Sequence, residues 1–76
     1  LIIENYNIMN KVIEFVNRHL LINVINVNNI SLIDNKIIFH MNNSFSITIE
    51  DKNANKLYKR IKEFMLDNEA NIMQIE

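Results

Sequence analysis

With 76 residues, 49% of them hydrophobic, and no cysteine, the chain is expected to form one small apolar core over residues 1–76. That excludes a disulfide framework or a thiolate zinc site. A formal charge of −1 and a sequence pI near 6.1 exclude the general excess of Lys and Arg that phosphate-binding surfaces carry, so nucleic acid is not the favoured partner. No apolar run approaches the roughly 20 residues of a membrane span. Leu1-Ile2-Ile3 is too short for the apolar stretch of a signal peptide, and the expectation is a soluble, intracellular chain with no membrane partner.

Glycine and proline are both absent, while Asn and Ile occur 15 times each, the bias of an AT-rich coding sequence. Without Gly, turns that need a positive φ are expected to fall to Asn or Asp, which tolerate the left-handed region best after Gly. The same excess of Asn devalues the two glycosylation-like triplets Asn29-Ile30-Ser31 and Asn42-Asn43-Ser44.

In chain order, Ile2, Tyr6, Met9, Val12, Ile13, Val16 and Leu20 fall on one side of a helix, which predicts a helix over Ile2 to Leu20 with Asn5 or Asn7 as its cap. A competing reading makes Leu1-Ile2-Ile3 a short edge strand and starts the helix near Asn7. Leu21 to Asn29 is rich in β-branched residues but broken by Asn, and is expected to connect and become extended before Ile30.

Ile30 to Glu50 predicts a three-stranded antiparallel meander. A two-residue turn at Asp34-Asn35 sets Leu32 opposite Ile37 and Ile30 opposite Phe39. At the second turn only a three-residue loop, Asn42-Asn43-Ser44, keeps the apolar rows on one face, because a slip of one residue moves a whole row to the other side. The inner face is then Ile30, Leu32, Ile37, Phe39, Met41, Phe45, Ile47 and Ile49.

After Glu50 the period lengthens to that of a helix. Ala54, Leu57, Tyr58, Ile61, Phe64 and Met65 form its apolar stripe, extended to Ile72 and Ile75 unless the helix breaks at Asp67-Asn68, with Asp51 or Asn53 as its cap. The expected fold is therefore α+β: helix, three-stranded antiparallel β-meander, helix, with both helices packed on one face of the sheet. In layout this is similar to the Alu-RNA-binding subunits of the signal recognition particle. With a strand at Leu1–Ile3 it looks a little like the smallest subunit of transcription factor TFIIH, through Ile3-Glu4 and through Leu57, Arg60, Ile61, Glu63 and Met65. The aspartate-rich hairpin of that subunit would fall on Asn43-Ser44, and no family is assigned.

Catalytic, metal and cofactor sites are not expected. His19 and His40 are the only histidines and lack the spacing of a metal site, no Gly-rich phosphate loop exists, and none of the three serines has a nucleophile setting. Room for a pocket of several hundred Å³ beside a full core is not expected either. Two surfaces remain as partner-binding candidates: the outer sheet face around Ile33, Ile38 and His40, and the basic helix face of Lys52, Lys56, Lys59 and Arg60. The expected function is a non-enzymatic protein–protein interaction domain or small accessory subunit that docks to a partner or self-associates. The alternatives are a small viral or mobile-element inhibitor or anti-defence protein, and an RNA-binding accessory subunit using the basic face.

Overall fold

A computed structural model describes residues 11–76, which contain six strands in two three-stranded sheets and one α-helix. The strands are β1 (Val12–Phe15), β2 (Leu20–Asn23), β3 (Val27–Ile33), β4 (Lys36–Met41), β5 (Ser46–Glu50) and β6 (Ile72–Ile75), and the helix α1 (Ala54–Leu66) lies between β5 and β6. Two compact units result. Among the described residues, the first joins residues 11–25 with Phe64–Glu76, and the second is Asn26–Glu63.

The helix–meander–helix expectation is overturned: the helix after the meander is present, but strands replace the one expected before it, and a sixth strand follows α1 in a second sheet. Val12 to Phe15 is a strand, Val16–Arg18 a single 3-10 turn, and Leu20 to Asn23 a second strand. The helical spacing of Val12, Ile13, Val16 and Leu20 was compatible with a stripe, but the residues that are buried alternate: Lys11, Ile13 and Phe15. A lysine at the head of that row hides its period of two, and Val and Ile lose χ1 freedom in a helix and pack well in a sheet. The proposed strand at Leu1–Ile3 and the caps at Asn5 and Asn7 lie outside the described residues.

In the first unit β1 is central, antiparallel to β2 and parallel to β6, in the order β2-β1-β6. Ile13 sits opposite Ile22 and Met73, and Phe15 opposite Leu20 and Ile75. Ile13, Phe15 and Ile22 are buried, so this row faces the unit's core. The turn from β1 to β2 closes with His19 in the left-handed region at φ 53, its N–H donating to Val16 O. On the other face Gln74 Nε2 donates to Glu14 Oε1 at 2.9 Å, directly across the β1–β6 register.

The second unit contains the meander in the register derived above. Leu32 pairs with Ile37, Ile30 with Phe39, Phe39 with Ile47 and Ile37 with Ile49. The second loop is Asn42-Asn43-Ser44: Ser44 N donates to Met41 O, Met41 N to Phe45 O at 2.8 Å, and Ser44 takes φ 72. A left-handed third residue is the usual end of a three-residue hairpin. The first turn has Asp34 at φ 54. Positive φ therefore falls on Asp34, as expected of an Asp, but also on His19 and Ser44, which are neither Asn nor Asp. A fixed hairpin register selects the position, whatever residue occupies it.

Ile37, Phe39 and Ile49 are buried, as are Ala54, Leu57 and Ile61 of the α1 stripe, and these residues form the unit's core. Asn53 O accepts from Leu57 N as the helix begins, and Asp51 Oδ1 accepts from Asn53 N at 2.7 Å to shape the entry. The helix ends at Leu66, where Asp67 Oδ1 accepts from Glu69 N, and it does not continue to Ile72 and Ile75, which belong to β6. A short carboxylate that bonds the backbone two residues on favours a turn over another helical turn.

Candidate partner-binding surfaces

Burial along the inner row of the meander is graded. Ile37, Phe39 and Ile49 are closed off, Met41 and Ile47 are half-buried, and Phe45, expected to point into the core, is 71% exposed. Around this open end lies a depression of about 520 Å³ lined by Met41, Phe45 and Ile47 together with Asn26, Asn42 and Asn43. Its volume falls within the range of ligand and side-chain pockets, so the expectation that so short a chain lacks one is corrected. The row of inward residues simply runs further along the hairpin than its cover does. Alternation assigned Phe45 to the correct face, but alternation carries no information about where along a strand the cover stops.

On the opposite face, Ser31 pairs with Ile38 and Ile33 with Lys36, which makes Ile33 and Ile38 diagonal neighbours. Ile33 is 54% exposed, while Ile38 and His40 are half-buried. His40 Nε2 lies 2.9 Å from Ser31 Oγ, and the hydroxyl donates when that nitrogen is unprotonated. The three candidates do share one face, and the histidine is held there by a neighbouring strand.

Lys56, Lys59 and Arg60 stand on the exposed side of α1, whereas Lys52 precedes the helix, in the turn that leads into Ala54. All four are exposed, and among the described residues none of them forms an ion pair. The segment from Lys52 to Lys62 contains five cations and no acid; the other three cations and all nine acids lie elsewhere. A chain of net charge −1 therefore concentrates unneutralised positive charge on one short element, and Lys62 lies over the Tyr58 ring at 5.3 Å.

Lys11 was not singled out by the sequence. It is buried, its Nζ lies 4.6 Å from the centre of the Phe64 ring and donates to Ala70 O, and its own carbonyl accepts from Val24 N. One lysine thus joins the entry to β1, the end of β2 and the segment after α1. The nearby Asp67 carboxyl is held below the usual carboxylate range, chiefly by the Glu69 amide, which works against desolvation with smaller help from the Ala70 amide and the Lys11 ammonium. The chemistry available here is a structural clasp: the cation is shielded from solvent and satisfied by a carbonyl and an aromatic face.

Among the described residues no three His, Cys, Asp or Glu side chains come together as metal ligands would, and no helix is long and apolar enough to cross a membrane. Compared with protein families, with proteins of curated function and with solved structures, the chain matches none. The two likenesses of layout lose their footing with the helix–meander–helix order on which they stood.

Proposed function

We propose that this chain is a non-enzymatic docking module or small accessory subunit, acting by binding a partner protein or a second copy of itself. One observation carries the reading: an aromatic side chain, Phe45, 71% exposed at the rim of an apolar depression on the end of a hydrogen-bonded sheet. Aromatic anchors beside concave apolar surface contribute disproportionately to protein–protein binding, because large area leaves water at little cost in side-chain freedom. The face around Ile33, Ile38 and His40 extends the same reading to a second surface. The test replaces Phe45 by a photo-cross-linking residue in the chain's own cells. The reading expects one adduct of discrete mass, absent when the same residue stands at Glu69, which is exposed and belongs to neither surface. A strict monomer in sedimentation that forms no adduct from position 45 or 33 would remove it.

A second reading, an RNA-binding accessory subunit, is favoured by the unpaired cations Lys52, Lys56, Lys59 and Arg60. It expects RNA affinity to fall steeply with salt, with a log–log slope of about −0.7 per phosphate contacted on a single strand, and to be lost in Lys56→Glu/Arg60→Glu. Absent or salt-independent binding excludes it.

A further inference from the structure

We infer that two copies of this chain pair antiparallel through their β5 edges, each setting its exposed Phe45 beside Ile49 of the other. The inference rests on the docking reading above and names the occupant. Its starting point is hydrogen-bond parity. Met41 N donates to Phe45 O and Asp51 N to Asn35 O, so the odd-numbered residues of β5 bond to β4 in the alternating antiparallel pattern. The N–H and C=O groups of Ser46 and Thr48 therefore point away from the sheet. Both residues are exposed, and no hydrogen bond to their outward groups occurs among the described residues.

Sheet edges are normally blunted by Pro, Lys or a bulge. β3, the other edge of this sheet, has a register shift between Val27 and Asn29. β5, Ser46-Ile47-Thr48-Ile49-Glu50, has none of these devices.

A two-fold axis at Ile47 sets Ile47 opposite Ile47 of the second copy, Phe45 opposite Ile49, and Ser46 opposite Thr48. Apolar residues then meet apolar ones on the inner face, and hydroxyls meet hydroxyls on the outer. The charges select the direction. Glu50 and Asp51 lie together at one end of β5; a parallel alignment would abut the acids of the two copies, while the antiparallel one sets them opposite Ser44 and Asn43. Area sets the strength. Phe45 would withdraw on the order of 100–180 Å² per copy, and with so short a ladder the total stays below the roughly 1,200 Å² at which standard interfaces begin. The dimer is accordingly weak and concentration dependent.

The chain has no cysteine, so Ile47→Cys is an unambiguous probe. A non-hydrogen-bonded antiparallel pair has its Cα atoms about 4.5 Å apart, inside the range a disulfide spans. Mild oxidation of Ile47→Cys should give a disulfide dimer at concentrations where Lys59→Cys gives none. Sedimentation of the unsubstituted chain should show a dimer that weakens roughly tenfold or more in Thr48→Pro, which removes only an outward N–H, and in Phe45→Asn. Amide-exchange protection of Ile37 and Phe39 would verify that both variants remain folded. A dimer indifferent to Thr48→Pro overturns the inference. A monomer at every concentration overturns it too, and the photo-cross-link at position 45 then separates the two claims: an adduct with a different protein leaves the docking reading standing, and none removes both.

Discussion

The two units each cover a three-stranded sheet, but with contacts of very different reach. In the second, every strand pairs with its neighbour in sequence across loops of two and three residues. In the first, β1 is flanked by a strand four residues on and by β6, whose paired residues are 60 positions away. A parallel partner cannot be joined by a tight turn, so its loop-closure entropy is larger and no local turn chemistry announces it. The difference teaches where local pattern is informative. It specifies a hairpin fully and is silent about a strand completed from the far end of the chain.

The comparison can be broken most forcefully in the meander. Phe39 is fully buried at the centre of the second unit, and Phe39→Ala should cost about 3–5 kcal/mol through lost transfer energy and a residual cavity, read as a shift in urea midpoint at constant slope. A loss under about 1 kcal/mol would mean that the meander is not the core it is taken to be.

In the first unit the corresponding element is polar. Lys11→Ala removes a charge-assisted hydrogen bond and packed methylenes together and should cost about 2–4 kcal/mol. Lys11→Met restores the volume and should recover more than half of that loss. Equal losses in both variants, measured by thermal unfolding, would place the energy in the charge alone.

A smaller effect compares the turns of the two units. Ser44 at φ 72 and His19 at φ 53 hold a left-handed backbone without being glycine. Ser44→Gly and His19→Gly should each relieve part of that strain and stabilise by about 0.5–1 kcal/mol, checked by chemical denaturation. Destabilisation at either position would show that its side chain contributes more than its conformation costs.

The smallest effect is a pH dependence confined to the first unit. Asp67 has a folded pKa below its unfolded value, so its contribution is fully present above the ordinary carboxylate range and is lost as pH falls through the folded pKa. Below about pH 4 the turn after α1 should loosen, seen as faster exchange of the Glu69 and Ala70 amides. Asp67→Asn should flatten that dependence.

Particular residues mark how far the sequence could be read. The pairing of Leu32 with Ile37 and the three-residue loop at Asn42-Asn43-Ser44 followed from alternation alone, and the α1 stripe from Ala54 to Phe64 followed from its period. Of the candidate surfaces, Ile33, Ile38 and His40 fell on one face as derived, and Lys56, Lys59 and Arg60 on one helix. Lys11 was not legible as a core residue, because its burial depends on a ring and a carbonyl supplied by residues more than 50 positions later. Phe45 was not legible as exposed, because alternation assigns a face and not the extent of its cover.

By itself, then, the amino-acid order determined the second unit's register, its apolar row and the helix that covers it, since each depends on contacts between near neighbours. Only the tertiary structure decided that Val12–Phe15 is a strand rather than a helical turn, that Ile72–Ile75 completes its sheet, and that the hairpin end at Phe45 is left open. The physical reason is common to all three. A segment whose apolar residues fit two periods takes the one that its distant partners satisfy, and those partners are brought to it only by folding.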